Sequence, residues 1–337
     1  MSWEEVKNIL RPDFINDVHM GVMEVDKTKC TKCGLCIQNC PFLCWKENKD
    51  GFPILKEEYA CFSCFNCIIP CPVDAVKIVE TYHAHDGFWK TYPYPLPVKL
   101  PLEPKDAEGK PTEWNTIEKL ILERRSVRNF KDKPVPESLI QRVLEAGRFA
   151  PSAGNCQPWK FFVITNKAII KEIEKTTTRN TTYTYNMYKN DEEVKKLEPW
   201  IRGGVGLFDP RLALGGMGMI AKPEMGRTPS FNAPVIILLA ADERAISGPQ
   251  INIGICGQNM NLVANSLGIK ALWNGFMGGV VNNMDSLKER LGIKPPWTVI
   301  TALCLGYPKF KQQGMVPREY RPITWFREGK DKIEIQK

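Results

Sequence analysis

Cys30-Thr-Lys-Cys33-Gly-Leu-Cys36-Ile-Gln-Asn-Cys40-Pro41 is the first of two cysteine runs in this sequence. The second is Cys61-Phe-Ser-Cys64-Phe-Asn-Cys67-Ile-Ile-Pro-Cys71-Pro72, and both have the spacing C-x2-C-x2-C-x3-C-P. Three thiolates at this spacing surround one face of an iron–sulfur cube, while the fourth points away and binds the neighbouring cluster. Structural zinc is the alternative, but zinc usually needs only paired C-x2-C units rather than two complete runs. The spacing therefore predicts two 4Fe–4S clusters.

The predicted ligand sets cross between the two runs, because the fourth cysteine of each run serves the other cluster. Over about residues 22–82 the sequence resembles a bacterial-type two-cluster ferredoxin. One cluster is assigned to Cys30, Cys33, Cys36 and Cys71, and the other to Cys61, Cys64, Cys67 and Cys40.

Three further side chains near these runs have metal-binding atoms. Cys44 falls outside the spacing and is predicted to be a buried small side chain rather than a ligand. His83 and His85 could form a metal pair, but a polar stretch that enters a linker explains them more simply.

The composition limits the cellular locations and the kinds of partner that this protein can have. Twelve cysteines without an export signal indicate metal ligation in a reducing compartment, so we expect a cytoplasmic protein. No stretch approaches the ~20 uninterrupted apolar residues of a membrane span. The net charge of +8 could favour an acidic electron carrier or a phosphorylated cofactor, or could simply aid solubility. Its lysines and arginines form no block typical of nucleic-acid binding.

The sequence predicts a ferredoxin-like domain at residues 1–82, a proline-rich linker at residues 83–113 and a second domain at residues 114–337. In the second domain, helical periodicity alternates with apolar strand patterns, which indicates an α+β fold. Residues 177–232, rich in Thr, Tyr, Asn, Gly and Pro, are predicted to be a lid or insertion. The predicted elements are helices at 116–124, 136–146 (ending at Gly147), 166–176 and 253–267, and strands at 160–165, 234–241 and 297–305.

Two short motifs carry the chemistry of the second domain. Arg124-Arg-Ser-Val-Arg-Asn-Phe130 offers guanidinium groups and a hydroxyl that could bind a phosphate and a ribityl chain, although a solvated basic helix end is the simpler explanation for it alone. Ala150-Pro-Ser-Ala-Gly-Asn-Cys-Gln-Pro-Trp159 is a tight polar loop suited to the edge of a flavin ring. Together, the two motifs resemble the nitroreductase family of FMN enzymes over about residues 114–326.

This resemblance implies a nitroreductase-like FMN-binding fold and a homodimer with FMN at the subunit interface. The predicted helix 253–267 suits such an interface, and it suits an ordinary core helix equally well. Asn274 departs from the acidic residue that many family members have there, and Cys156 is predicted to be a packed residue near the flavin. Carried over position by position, the implied FMN contacts are Arg124, Arg125, Ser126, Arg128, Pro151, Ser152, Asn155, Asn274, Gly275 and Arg318.

Clusters move single electrons, whereas a flavin accepts two one-electron transfers and can release a hydride. We therefore expect an FMN-dependent oxidoreductase that passes electrons from the two clusters to FMN and then to a nitro, quinone, enone or halogenated acceptor. Reduced ferredoxin is the preferred donor over NAD(P)H, since no G-x-G-x-x-G fingerprint follows a strand. The alternatives are an electron-transfer flavoprotein subunit that relays electrons to a protein partner, and a flavin-binding sensor.

The proton source for such a reaction cannot be a histidine of the second domain, because His19, His83 and His85 all precede it. Tyrosine, lysine, a carboxyl group, Cys156 or water remain. The candidates in the predicted lid are Tyr183, Tyr185 and Tyr188, with Trp200 and Phe208 as stacking residues, and packing is the simpler explanation for each.

Overall fold

The computed structural model of the chain describes residues 18–84, 95–98, 103–187, 217–221, 226–312, 314–329 and 334–336. Parts of the predicted linker and lid lie outside these ranges, as do His85, Tyr188, Trp200 and Phe208. No helix within the ranges is both long enough and apolar enough to cross a membrane. The secondary structure mixes helices with antiparallel strands, so the fold is α+β, as predicted.

The N-terminal segment contains one short helix and three two-stranded antiparallel sheets. Strand β1 pairs with β6, β2 with β5, and β3 with β4. The elements are β1 (Val18–His19), β2 (Val22–Val25), α1 (Leu35–Asn39), β3 (Trp45–Glu47), β4 (Pro53–Leu55), β5 (Val76–Glu80) and β6 (His83–Ala84).

Cysteine side chains form the centre of the core of this segment. Both cysteine runs lie between β2 and β5, and only a few apolar side chains, such as Trp45 and Ile68, are buried with them. A segment of this size buries little apolar surface, so a bound metal centre would contribute directly to its free energy of folding. The buried cysteines of this core are Cys36, Cys40, Cys44 and Cys67.

The second segment is built on a four-stranded antiparallel sheet with the strand order β7–β8–β10–β9. Helices cover both faces of the sheet. Its elements are α2 (Thr116–Glu123), α3 (Glu137–Arg148), β7 (Trp159–Ile164), α4 (Lys167–Met187), α5 (Gly218–Ala221), β8 (Val235–Asp242), α6 (Pro249–Ser266), β9 (Lys270–Asn274), α7 (Gly275–Asn282), α8 (Asp285–Leu291), β10 (Trp297–Gly306), β11 (Ile323–Trp325) and β12 (Glu334–Gln336).

Strand β8 is buried on both faces and separates two hydrophobic cores. Ile236 and Leu238 point into the core beneath α4, α7 and α8, while Ile237 and Leu239 point into the core beneath α3 and α6. Because strand side chains alternate between faces, a continuous apolar run is needed to serve both cores. This explains why the strand has no polar residue before Asp242.

Gly147 does not end a helix, so this prediction was wrong. Helix α3 continues to Arg148, and Gly147 is a buried packing position facing α6. A Cβ at this glycine would lie 2.8 Å from Met260 and 3.1 Å from the Cys256 sulfur. The glycine therefore lets the two helices approach closely. Cys256 and Met260 are fully buried in the core of the chain itself.

The predicted lid begins inside a regular helix. Helix α4 runs on to Met187, well beyond the predicted end at residue 176, so residues 177–187 are not part of a loop. At the other end of the predicted lid, Ser230 and Phe231 are buried. Both ends of the predicted insertion therefore belong to the folded body of the second segment.

The described part of the predicted linker is attached to the second segment. Val98 forms an isolated antiparallel bridge with Arg318, with N–O distances of 3.1 Å and 3.0 Å. After the linker, α2 begins with a capping box in which Asn115 and Glu118 satisfy each other's backbone N–H groups. This cap fixes the start of the helix that leads into the arginine motif.

Candidate functional site

The two cysteine runs share one backbone path. Three residues in or just after the first run have the left-handed conformation, and the residue at the equivalent position of the second run has it in each case. Left-handed backbone is unfavourable for residues other than glycine, so its recurrence marks a required loop shape. The pairs of φ values are 57° and 54° for Lys32 and Ser63, 67° and 57° for Gly34 and Phe65, and 52° and 51° for Leu43 and Asp74.

The structure brings the predicted first ligand set together. Cys30, Cys33, Cys36 and Cys71 line one cavity, although Cys71 comes from the second run. Burial, with smaller effects from the nearby Cys33, Cys71 and Cys30, raises the pKa of the Cys36 thiol to about 12. Four thiols in such a place fit a cationic metal centre, because metal binding stabilises the thiolate form that burial opposes.

The second ligand set converges in the same way. Burial raises the pKa of Cys67 well above its ordinary value, and the charges of Cys40, Cys64 and Cys61 raise it further. Among these neighbouring charges, that of Cys40, which belongs to the first run, has the largest effect on the pKa of Cys67. In each predicted set, the cysteine from the other run lies near thiols of the set, and the crossed assignment of the ligands stays a prediction.

Backbone N–H groups point at several ligand sulfurs. Ala75 N donates to Cys71 Sγ over 3.2 Å, and Cys44 N donates to Cys40 Sγ over 3.4 Å. The two bonds occupy equivalent positions of the two runs. Hydrogen bonds to cluster sulfurs are one of the means by which a protein sets the reduction potential of a cluster.

Cys44 is buried next to the second ligand set but does not complete it. Its thiol donates to the Ala60 carbonyl over 3.4 Å and lies beside Cys40 and Cys61. Hydrogen bonding to these two sulfurs and burial raise the pKa of Cys44, so it stays a protonated thiol. The equivalent residue of the second run is Ala75, which shows that the loop needs only a small side chain here.

We expect a Cys44→Ala protein to keep both clusters, since alanine already occupies the equivalent position of the other run. Iron and acid-labile sulfide per chain should equal the wild-type values. The matched change Cys40→Ala, four residues earlier, should remove about half of the iron. Loss of iron from the Cys44→Ala protein would show instead that the ninth cysteine is a ligand.

The described histidines form a surface cluster with a carboxylate. His19 and His83 face each other across the β1–β6 pair, with ring centroids 5.1 Å apart. Glu80 Oε1 lies 3.1 Å from His19 Nδ1 and 3.9 Å from His83 Nε2. The sequence suggests only His85 as a partner of His83, because nothing in the local spacing indicates a partner from another strand.

Arg124 and Arg318 form the basic pair of the second segment. Burial lowers the pKa of Arg124, and the charge of Arg318 lowers it further. No carboxylate in the described part of the chain forms an ion pair with either guanidinium. A half-buried guanidinium (Arg124) and an exposed one (Arg318) fit an anion such as a phosphate, which accepts charge-assisted hydrogen bonds from both. The backbone bridge to Val98 fixes the position of Arg318.

Arg125 lies in a different environment from its neighbour. It is buried, and burial lowers its pKa to about 10. Its guanidinium donates to the carbonyls of Gly314 and Glu123 and to Gln312. These bonds attach the segment before Arg318 to the arginine motif, so the structure gives Arg125 a positioning role beside its predicted FMN contact.

The remaining predicted contacts of the arginine motif are Ser126 and Arg128, both half-buried. Burial lowers the pKa of Arg128, while the nearby Cys64 thiolate raises it. Arg128 directly precedes Asn129, whose Nδ2 donates to Asn39 Oδ1 over 3.3 Å, so this part of the arginine motif lies where the second segment meets the first cysteine run.

The predicted polar loop is a tight, exposed turn. A 3-10 turn covers Ala153–Asn155, and Ser152 Oγ accepts a hydrogen bond from Gln157 N over 3.0 Å. Pro151, Asn155 and Cys156 are exposed, so Cys156 is not a packed residue and this prediction was wrong. The loop presents its polar side chains to the surface rather than to the core.

The hydrogen bonds of the Asn274 side chain explain why this position has an amide rather than the acidic residue of many family members. Its Oδ1 accepts from Met277 N over 3.2 Å and caps α7, while its Nδ2 donates to Pro229 O over 2.6 Å. A carboxylate could make the first bond but has no proton for the second. An amide is therefore required here, and its side chain ties the end of the predicted lid to the sheet.

A solvent-open cavity of about 430 Å³ lies beside Gly275, between α4 and α7. None of its described lining residues is charged. A volume of this order suits a small organic ligand. Tyr185 is buried and Tyr183 is exposed, and neither lines the cavity. The lining residues are Asn180, Thr181, Thr184, Met217, Gly275, Phe276, Gly279, Val280 and Asn283.

Comparison with known families matches both segments. A family model described as "Nitroreductase family" matches residues 121–307, and one described as "4Fe-4S dicluster domain" matches residues 22–75. The two matches together cover both cysteine runs, the whole arginine motif and the whole four-stranded sheet.

Individual relatives resemble the second segment. A Methanothermobacter thermautotrophicus protein named "Putative NADH dehydrogenase/NAD(P)H nitroreductase" is 24% identical over 204 residues, covering 60% of this chain and 81% of that protein. An Archaeoglobus fulgidus protein of the same name is 28% identical over 191 residues, covering 57% and 84%. A solved structure of a nitroreductase with bound FMN from Desulfitobacterium hafniense DCB-2 is 25% identical, has a TM-score of 0.47, and covers 61% of this chain and 96% of that one.

Proposed function

Because the chain belongs to the nitroreductase family and carries a 4Fe–4S dicluster domain before that fold, we propose that it passes electrons from two 4Fe–4S clusters through FMN to a small organic acceptor. The observation that carries the proposal is the position of Arg128. This residue of the predicted FMN motif directly precedes Asn129, whose Nδ2 donates to Asn39 Oδ1 of the first cysteine run over 3.3 Å, and its charge lowers the pKa of Cys64, a predicted cluster ligand, against the effect of burial. The two predicted redox sites are therefore neighbours in one chain.

Arg124 and Arg318 are the residues that would hold the FMN phosphate. Arg125 keeps the segment before Arg318 in place, and the backbone N–H of Gly275 lies at the N-terminus of α7, where it can face an electron-rich edge. When bound, FMN would supply the exchange between one-electron and two-electron reduction. Half-buried cations such as Arg124 also favour a cofactor that gains negative charge on reduction.

The uncharged cavity beside Gly275 is the proposed binding place of the acceptor. Its mixture of threonine, asparagine and apolar side chains favours a neutral molecule, such as a nitro compound, a quinone, an enone or a halogenated compound. Since the cavity is open and no described lining residue is an acid, water is the proposed source of protons.

Reduced ferredoxin is the proposed donor, ahead of NAD(P)H. Cys33 is exposed, so a protein donor can dock close to the first ligand set. We also propose a homodimer in a reducing compartment such as the cytoplasm, as family membership and twelve free thiols suggest.

The test is anaerobic purification with iron, sulfide and flavin analysis, followed by stopped-flow reduction with reduced ferredoxin or NADPH and a steady-state assay with the four acceptor classes. We expect about eight irons and one FMN per chain, fast reduction by ferredoxin, and turnover of at least one acceptor. Fewer than about seven irons, or no FMN, would contradict the proposal. Turnover that requires an added protein would identify a relay subunit instead.

A further inference from the structure

A chain of hydrogen bonds joins the second segment to Cys40. Arg227 Nη2 donates to Cys40 O over 3.3 Å, and its Nη1 donates to Asn129 Oδ1 over 3.1 Å. Asn129 Nδ2 in turn donates to Asn39 Oδ1 over 3.3 Å. Cys40 is the residue of the first run that crosses to the second ligand set, so these contacts reach that set.

A second arginine approaches the same ligand set from the arginine motif. Arg128 directly precedes Asn129, whose Nδ2 donates to Asn39 Oδ1 over 3.3 Å beside Cys40, and its positive charge opposes the effect of burial, which raises the pKa of Cys64. Arg227 has the same relation to Cys40, whose charge raises the pKa of that arginine against the effect of burial. Two guanidinium groups of the second segment are thus placed at two different ligands of one set.

Two buried donors at this boundary have no hydrogen-bond partner among the described residues. They are Arg227 Nε and Asn66 Nδ2. Asn66 lies between Cys64 and Cys67, and its carbonyl accepts from Asn39 Nδ2 over 2.6 Å. Buried donors are rarely left unpaired in folded proteins. Thiolates and sulfides are acceptors, so a bound cluster at the second set would provide the kind of partner that these donors lack.

The first ligand set has a different environment. The other three thiols of its own set raise the pKa of Cys36, and the lysines next to this set in the sequence are Lys29 and Lys32. Cys33 of this set is exposed, whereas Cys67 and Cys40 of the second set are buried. The two sets therefore differ in exposure and in the cations near them.

We propose that the cluster held by Cys61, Cys64, Cys67 and Cys40 is the one that exchanges electrons with the flavin site, and that Arg227 and Arg128 are positioning residues that raise its reduction potential. This inference rests on the proposed function. Electrons from a ferredoxin-class donor enter one at a time at the first set, pass to the second set and leave toward the flavin site. Two such electrons, with protons from water, make up a two-electron reduction of the acceptor.

The sign of the effect follows from charge. A cluster gains one negative charge on reduction, so a nearby guanidinium stabilises its reduced form and raises its potential. Removing that guanidinium lowers the potential. Arg227 contacts the second set, whereas Lys29 and Lys32 lie next to Cys30 and Cys33 of the first set in the sequence, so loss of an arginine should leave the potential of the first cluster unchanged. A higher potential at the second set favours electron transfer to it from the first.

The experiment is an EPR-monitored redox titration of the full-length protein with the changes Arg227→Gln and Arg128→Gln. Arg142→Gln removes a charge from an exposed face of α3 and is the matched control. Cys33→Ser, which alters a ligand of the first set, assigns the two cluster signals. We expect each of the first two changes to shift the reduced-to-oxidised ratio of the second cluster about tenfold toward oxidised at a fixed potential, or about 59 mV. Arg227→Lys should restore part of the shift.

A shift of the first cluster, equal shifts of both, or no shift in either variant would overturn the inference. If a variant loses iron, loss confined to the signal of the second cluster supports it, and loss of the first signal contradicts it. The titration does not depend on turnover. Absence of FMN or of acceptor reduction would therefore count against the proposed function and leave the cluster assignment to be decided by the potentials.

Discussion

A Cys71→Ala protein should purify with about four irons per chain in place of about eight, and the missing cluster should be that of the first run. The reason is the crossed ligand set, in which Cys71 lines the same cavity as Cys30, Cys33 and Cys36. With three thiolates, one iron of the cube has no protein ligand. Its positive charge is then left without a compensating thiolate at a site where burial makes unpaired charge unfavourable. The measurement is iron and sulfide per chain after anaerobic purification, with EPR of the reduced protein.

Double changes separate the crossed assignment from an uncrossed one. If the sets cross, Cys71→Ala with Cys33→Ala should remove no more iron than Cys71→Ala alone, because both residues serve one cluster. Cys71→Ala with Cys64→Ala should remove nearly all of the iron. The opposite pattern would mean that each run holds its own cluster. Cys156→Ala, at an exposed cysteine far along the sequence, is the control for general loss of thiols.

Arg124→Ala and Arg318→Ala should each weaken FMN binding by about tenfold to a hundredfold. A hydrogen bond to a charged group contributes ~1.5–3 kcal/mol, and ~1.4 kcal/mol corresponds to a factor of ten. Both arginines are placed to hold one phosphate, so the combined change should cost less than the sum of the two. The measurement is flavin content after gel filtration, followed by fluorescence titration of the flavin-free protein with FMN.

Arg142→Ala is the matched control for these changes, because this arginine is exposed on α3 and belongs to no predicted contact. Its FMN affinity should equal that of the unaltered protein. Unchanged affinity in both test proteins would show that the basic pair does not hold the phosphate. A melting curve for each variant separates weaker binding from loss of the fold.

Metal-ligand spacing was the most informative feature of the sequence. A cluster restricts each cysteine run so closely that the spacing alone predicts which eight thiols converge and that the sets cross. The buried strand Val235–Asp242 was also predictable, because a strand that serves two cores must be apolar throughout. In both cases the structure follows from residues that are close together in the chain.

Contacts between distant segments gave no such local signal. The amide of Asn274 is required by Pro229 O, and the buried Arg125 is required by the segment around Gly314. Gly147 looked like a helix end because its partner Met260 lies on another helix. The bridge from Arg227 through Asn129 joins three separate parts of the sequence, so no spacing rule could indicate it.

The crossing of the ligand sets also has a consequence for the order of biosynthesis. Cys30, Cys33 and Cys36 leave the ribosome well before Cys71, yet the cavity that they line is incomplete without it. The second set likewise needs Cys40, which is synthesised earlier, as part of the first run, to complete Cys61, Cys64 and Cys67. On the predicted assignment, iron delivered to the nascent chain therefore finds no complete site until both runs have emerged. Both clusters are then assembled late, after the whole repeated unit has been synthesised. Neither cysteine run can bind a complete cluster by itself.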